Sequence, residues 1–186
     1  MEKLQEQYGV VVRWRAFELR PQDAPPLPEA YRARIEAARP RLYEMARAQY
    51  GLTLNVGPFG VDSRPALVGA KVAEAAGVGA AYHAAVFRAY WQEGRSIAET
   101  AVLRDIAAGV GLAPEAFLAA LPAAEWQAAV SADVAQAQAL GITAVPALVF
   151  ANRYLVVGAQ PYDVLVQVTE QVQREGGSRH GKKEAS

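Results

Sequence analysis

The sequence contains no cysteine among its 186 residues. Disulfide bonds, thiolate metal sites and a redox-active cysteine pair are therefore excluded for these residues. Histidine is almost as scarce, since His83 and His180 are the two in the sequence and His180 lies in a polar tail. A metal site with three histidine ligands cannot be built from them. We expect the chain to carry no metal and no cofactor.

The sequence also lacks an excess of either charge and any long apolar run. Its formal net charge is zero, so no overall electrostatic field would draw it to nucleic acid or to anionic lipid. No apolar stretch approaches the span of a bilayer, and no basic segment followed by an apolar one opens the chain. We therefore predict a cytoplasmic protein, with neither nucleic acid nor membrane among its partners. Hydrophobic residues make up 52%, enough for a packed core.

What the sequence does contain is a clear β-hairpin pattern between Gly141 and Pro161. Two short runs rich in β-branched and aromatic residues, Ala147–Phe150 and Tyr154–Val157, are separated by a compact turn at Asn152. Gly141 ends a long Ala- and Gln-rich helical pattern, and Pro161 suits the first turn of another helix. The predicted order is helix, strand, turn, strand, helix.

The residues on either side of this hairpin carry a family resemblance. Thr143-Ala144-Val145-Pro146 precedes it, and Val157-Gly158-Ala159-Gln160-Pro161 closes it. Together they resemble the C-terminal half of the DsbA family of thioredoxin-like proteins, especially the cytoplasmic branch with the FrnE-like oxidoreductases and the 2-hydroxychromene-2-carboxylate isomerases. In that family the proline is cis and faces the active site. The resemblance therefore implies a cis Val145-Pro146 bond, with Val145 presenting its backbone to an extended ligand.

The resemblance extends over nearly the whole chain and implies a fold. We predict an α/β, thioredoxin-like fold that is incomplete, with its first strand missing, and that carries a helical insertion domain. Met1 to Tyr8 is predicted to be the end of a helix, and Val10 to Leu19 a strand. The alternative fold is an all-α bundle with a stray hairpin, in which no sheet would contain Val10 to Leu19. The predicted domains are residues 1–28 with 141–176 as the thioredoxin-like portion, 29–140 as the helical insertion, and 177–186 as a disordered tail.

In the family, the first strand leads to a Cys-x-x-Cys motif, or to a serine in the isomerase branch. By this resemblance the chain begins inside the following helix, so the strand and the nucleophile are expected to be missing. Three explanations remain open for the empty strand position. The second strand moves over to the hairpin, another copy supplies the edge in a homodimer, or upstream residues were lost from the gene model.

The helical region from Glu29 to Tyr50 contains a proline and many arginines. Pro40 is expected to break it into two pieces. Glutamates interleave with the arginines, which favours a solvated face with ion pairs between residues four apart over a phosphate-binding patch.

Five residues are candidates for substrate contact: Thr143, Val145, Pro146, Ser63 and His83. Asp62-Ser63-Arg64-Pro65-Ala66 resembles the family's Asn-Ser/Thr-x-x-Ala stretch beside the substrate cleft, and it also fits a helix N-cap. His83 shares a helical stripe with three aromatic residues, and core packing is favoured for that stripe. For His83 itself a structural or surface role is favoured over an acid–base role. The stripe consists of Phe87, Tyr90 and Trp91.

Three functions remain open from the sequence. The first is that of a DsbA-like oxidoreductase relative, although redox chemistry is impossible without cysteine. The second is a catalytically silent protein that binds a peptide or a small thiol in the same groove. The third is a glutathione-dependent isomerase relative, which is disfavoured because the position of its serine is not present.

Overall fold

The computed structural model describes residues 1–19, 21 and 25–180, the last four of these by their backbone alone. Within this part of the chain there are eight helices and one two-stranded sheet. The elements are α1 (Glu2–Tyr8), α2 (Glu29–Tyr50), α3 (Arg64–Ala75), α4 (Gly79–Trp91), α5 (Thr100–Gly109), α6 (Pro114–Ala120), α7 (Ala124–Ala139), β1 (Ala147–Phe150), β2 (Tyr154–Val157) and α8 (Tyr162–His180).

The chain divides into two compact units. The first combines Met1–Leu19 with Ala135–Ser186, and the second is Arg20–Val134. The boundaries predicted from the sequence, 28/29 and 140/141, lie nine and six residues further along the chain. None of the described helices is both long enough and apolar enough to cross a bilayer.

The first unit is built around α8, which packs against α1 and β1. Leu4 of α1 is buried, and the Tyr162 hydroxyl donates to Oε1 of Gln7 at 2.7 Å. Thr169 is 2% exposed, and its hydroxyl is satisfied by donating to the carbonyl of Leu165 at 2.8 Å. Helix α8 extends to His180, so residues 177–180 of the predicted disordered tail are helical; residues 181–186 lie outside the described part.

The hairpin was predicted with the bounds that the structure shows. Its strands are antiparallel, and the register runs from Ala147 opposite Val157 to Phe150 opposite Tyr154. The turn places Ala151 and Asn152 in the left-handed region, with φ of 50° and 54°. On one face of the hairpin every side chain is half-buried; on the other face Ala147 is half-buried and the remaining residues are exposed. Three residues of the second face are large and exposed: Val149, Leu155 and Val157.

The predicted strand from Val10 to Leu19 is wrong. The segment is irregular, and the sheet in the described residues consists of β1 and β2 alone. It has therefore not moved over to pair with the hairpin. Strand propensity measures how well a side chain fits a paired, half-buried surface, and here no neighbouring strand supplies that surface. Val11 is accordingly 81% exposed, while Ala16 is buried.

The second unit is helical and contains the main hydrophobic core. Helix α3 packs closely on α4 because Gly69 has no side chain: a Cβ there would overlap the Tyr82 hydroxyl and lie 2.7 Å from Cζ of Phe117. Lys71 of α3 pairs with Asp133 of α7 at 2.6 Å, and both side chains are nearly buried. The core cluster consists of Ala66, Ala73, Tyr82, Ala89, Val102, Leu103, Ile106, Ala107 and Phe117.

Helix α2 departs from two predictions. It is one helix of 22 residues in spite of Pro40. Pro40 is exposed, so water can solvate the carbonyl that loses its intrahelical partner. The expected ion pairs between its arginines and Glu29, Glu36 or Glu44 are also absent from the described residues. Exposed pairs of this kind contribute only about 0.3–0.5 kcal/mol, too little to hold two long side chains together.

Candidate functional site

The segment Thr143 to Pro146 forms an exposed bend between α7 and β1, which we call the Thr143–Pro146 ledge. Its start is fixed by Gly141, at φ 68°, and by the amide of Ile142, which donates to the carbonyl of Ala137 at 2.9 Å. Its end is fixed by the carbonyl of Pro146, which accepts from the amide of Gly158 at 2.8 Å. The hairpin and the helix thus hold both ends of the bend.

The Val145-Pro146 peptide bond is cis, as the sequence analysis predicted. The Val145 side chain is 50% exposed. Among the described residues, none forms a hydrogen bond with the backbone N–H or C=O of Val145. One donor and one acceptor, next to each other on an exposed bend, are therefore available to an extended ligand backbone.

Gln160 has a role that the sequence analysis did not assign. Its Nε2 donates to the carbonyl of Val157 at 2.8 Å, while Gly158 between them takes a φ of 83°. The side chain thus satisfies a backbone group on the outer edge of β2, where a further strand would pair. The only signal in the sequence was the position of Gln160 within the Gly-Ala-Gln-Pro motif.

Ser63 lies in the second unit, at the N-cap of α3. Asp62 provides the capping bond, since its Oδ1 accepts from the amide of Arg64 at 2.8 Å. Pro65 occupies the first turn, in agreement with the N-cap interpretation. The Ser63 side chain makes no capping hydrogen bond, so its hydroxyl is not used by the helix.

His83 also lies in the second unit, on α4. Its ring stacks on Phe87, with 4.5 Å between ring centroids. Burial lowers the pKa of the imidazole, and the carboxylate of Glu74 partly opposes this shift. The predicted core packing of the aromatic stripe is wrong for Phe87 and Trp91, which are 51% and 37% exposed. The core-facing residues of α4 are instead Tyr82 and Ala89, on a different face of the helix.

The structure thus brings Thr143, Val145 and Pro146 together in one exposed bend of the first unit. Ser63 and His83 belong to the second unit and stay predictions as substrate contacts. No group of three or more His, Cys, Asp or Glu side chains in the described ranges is arranged to hold a metal ion.

Residues 1–170 match the family model of the DSBA-like thioredoxin domain. The chain belongs to this family. Its fold is accordingly a DsbA-like thioredoxin fold, mostly helical with a small sheet, and the all-α alternative is wrong even though Val10 to Leu19 is outside the sheet. It is a DsbA-family protein without cysteine.

Solved structures agree with this assignment. A probable DsbA oxidoreductase from Streptomyces coelicolor is 29% identical, with a TM-score of 0.79 over 94% of this chain and 82% of that one. A 2-hydroxychromene-2-carboxylate isomerase is 22% identical, with a TM-score of 0.74 over 100% and 90%. The cytosolic disulfide reductase DsbM from Pseudomonas aeruginosa, solved with GSH, is 25% identical, with a TM-score of 0.52 over 82% and 81%. No curated protein matches the chain.

Proposed function

We propose that this DsbA-family chain is a redox-silent binding protein that holds an extended peptide, or a small peptide-like thiol, on the Thr143–Pro146 ledge. The observation that carries this proposal is the exposed Val145 backbone, with a donor and an acceptor that no described residue uses. The absence of cysteine separates the function from thiol–disulfide exchange, because the chain has no thiol to form a mixed disulfide.

The ledge limits how a ligand can pair. Pro146 has no N–H, so pairing with a ligand backbone is confined to the N–H and C=O of Val145 on this side of the bend. Two such hydrogen bonds contribute only about 0.5–1.5 kcal/mol each. Contacts with the exposed Thr143 hydroxyl and the Val145 side chain are therefore needed as well, and we expect weak binding.

Glutathione is the natural first probe. It is a short peptide with an extended backbone, and the similar DsbM structure was solved with it. In this chain the glutathione thiol has no cysteine to react with, so only its peptide groups would be recognised. S-methylglutathione should therefore bind as well as glutathione. An isomerase function has no such support, because the similarity to the isomerase is at 22% identity and concerns the fold alone.

The test is titration of the full chain with glutathione and with S-methylglutathione, followed by amide NMR. We expect both compounds to shift the amide signals of Ala144 and Val145 with equal affinity. Val145→Pro, which removes the donor, should weaken binding about tenfold. Val145→Thr keeps the backbone donor and a β-branched side chain of similar size, and is the matched control; it should weaken binding much less than Val145→Pro does. Chemical shifts elsewhere in both variants report whether the fold is retained.

The proposal is overturned if neither compound perturbs the ledge, or if Val145→Thr and Val145→Pro lose binding equally. Binding of glutathione but not of S-methylglutathione would also contradict it, since it would show that the thiol is recognised. An insulin-reduction assay completes the test, and measurable turnover by the purified chain would refute redox silence.

We propose further that the sheet is a thioredoxin sheet without the strand beside β1, and that a second copy pairs there in a homodimer. Pro146 and Gly158 form a hydrogen-bonded pair, and such pairs alternate with non-hydrogen-bonded pairs along an antiparallel ladder. The N–H and C=O groups of Ala147 and Val149 therefore point away from β2, toward the open edge of the sheet. No described residue bonds with them across that edge. Light scattering should show a dimer that Val149→Pro dissociates; a monomeric wild-type chain would refute the homodimer.

The FrnE-like branch and the cytoplasmic location stay predictions, supported by the similarity to a cytosolic reductase.

A further inference from the structure

Helix α2 carries a stripe of exposed apolar residues along its length. Tyr31, Leu42 and Met45 are 41%, 36% and 45% exposed, Ala38 is exposed, and Ile35 is half-buried. Their positions are separated by alternating steps of four and three residues. This is the spacing of the a and d positions of a heptad, with Tyr31, Ala38 and Met45 at d and Ile35 and Leu42 at a. We call these five residues the α2 seam.

Four arginines flank the α2 seam on both sides. In this heptad register Arg32 and Arg39 occupy e positions, and Arg34 and Arg41 occupy g positions. None of the four forms an ion pair with a described residue. Arg32 and Arg34 lie over the rings of Phe59 and Tyr31, at 5.9 and 5.1 Å from the centroids.

The outward positions of the heptad have a different character. Glu29 and Glu36 fall at b, Glu44 at c and Pro40 at f. The proline thus lies away from the seam and does not interrupt the apolar stripe. The e and g positions are those that set the choice of partner in paired helices, through charge contacts across the interface. The basic charge of α2 is concentrated at these positions.

The charge distribution argues against a second copy as the occupant. In a parallel pair each g position meets an e position of the partner, and in an antiparallel pair g meets g and e meets e. Either arrangement of two α2 helices would bring arginine against arginine. Like-charge contacts of this kind select against the wrong partner.

The shape of the stripe argues against a lipid surface. Helices that lie on membranes present a broad apolar face containing large residues such as Trp, Phe and Leu. The α2 seam is the narrower type of stripe that one helix can cover, and it includes an alanine at its centre. A helix with apolar a and d positions and acidic e and g positions would cover the seam and bring its carboxylates near the exposed arginines.

We propose that α2 is a docking site for a partner protein's amphipathic helix that carries Glu or Asp beside an apolar heptad stripe. The inference is independent of the ligand proposed for the Thr143–Pro146 ledge. The α2 seam spans little more than two heptads, so the helix pair is a contact on a folded domain and not a free-standing coiled coil. We expect micromolar affinity and strong weakening by salt.

The experiment uses the full chain and two labelled peptides of three heptads each. Both have Leu at a and d; one has Glu at every e and g position, and the other has Lys. Fluorescence anisotropy should show that the acidic peptide binds at least about tenfold more tightly than the basic one. The double variant R34E/R41E leaves two arginines and two glutamates beside the seam, so it should abolish this preference, and Leu42→Asp should weaken binding of the acidic peptide about tenfold.

E36K/E44K is the matched control, because it changes two charges of the same helix at positions away from the seam. It should leave the peptide preference unchanged, and circular dichroism of every variant reports whether the fold is retained. Equal binding of the two peptides by the wild-type chain would overturn the proposal. So would binding of anionic phosphatidylserine vesicles or of a single-stranded RNA with no binding of the acidic peptide, or self-association that R34E/R41E alters.

Discussion

At the scale of single residues, the turn of the hairpin places an alanine in an unfavourable backbone conformation. Ala151 is at φ 50°, a region that costs an L-residue with a Cβ about 1 kcal/mol or more, whereas Asn152 beside it tolerates this region well. Ala151→Gly should therefore raise the free energy of unfolding by about 0.5–1 kcal/mol, since part of the gain is offset by backbone entropy. Urea denaturation measures the change.

Gly158 is the control for this substitution. It has a φ of 83°, and an added Cβ would meet only Nε2 of Gln160 at 3.7 Å, an ordinary van der Waals contact, so Gly158→Ala tests mainly the conformational cost. It should lower the free energy of unfolding by about 1 kcal/mol. If both substitutions change stability in the same direction, the backbone conformation of the hairpin ends is not as described.

His83 provides a pH-dependent prediction at the same scale. Burial lowers its pKa below the ordinary value of 6.5, so the unfolded chain binds the proton more readily than the folded chain. The stabilising effect of the neutral imidazole is therefore complete above pH 6.5 and is lost as the pH falls through the folded-state pKa. We expect NMR titration to give a pKa below 6.5, and His83→Gln to reduce the loss of stability between neutral and acidic pH. A titration midpoint above 6.5 would contradict this prediction.

At the scale of elements, the contact of α3 with α4 depends on one glycine. Gly69→Ala would place a methyl group against Tyr82 and Phe117, so we expect a loss of about 1–3 kcal/mol in unfolding free energy. Gly109→Ala is the matched control: it lies at the end of α5 with open space around it and should be neutral or stabilising by up to about 1 kcal/mol. Thermal unfolding of the two variants compares them directly.

The Tyr82 hydroxyl adds a second test of this contact. It is buried without a hydrogen-bond partner in the described residues, and burial raises its pKa. Tyr82→Phe should therefore leave the unfolding free energy unchanged or raise it by about 1 kcal/mol. It also removes the atom nearest the new methyl group, so Gly69→Ala should cost less in a Tyr82→Phe background. Simple additivity in this double-mutant cycle would argue against the contact.

At the scale of the whole molecule, burial is distributed unevenly. The largest core cluster lies within the second unit, where Val68, Tyr82 and Ala107 have no exposed area, while neither β1 nor β2 contains a fully buried residue. Local opening is easiest where few apolar contacts hold the backbone. Amide hydrogen exchange should therefore be slower in α3, α4 and α5 than in β1 and β2. Equal protection of both regions would show that they unfold as one cooperative unit.

The parts of the fold that were predictable from sequence are those with local causes. The hairpin, the helix start at Pro65 and the cis Val145-Pro146 bond each follow from neighbouring residues or from a motif around them. The absence of a strand at Val10 to Leu19 was not predictable, because a strand exists only with a partner, and local propensity does not reveal whether there is one. The burial of α4 was missed for a related reason: Tyr82 and Phe87 belong to faces about 140° apart, and tertiary packing decides which of them is covered.

The side chain of Gln160 has a consequence for self-assembly. By occupying the carbonyl of Val157, it makes the far margin of the hairpin a poor template for an incoming chain, whereas the margin formed by Ala147 and Val149 has no such guard. A second copy can therefore add a strand at one edge of the hairpin, but a further copy cannot readily add at the other edge. Fibrous growth, which needs two competent margins on every molecule, is therefore disfavoured as long as the glutamine amide stays in place.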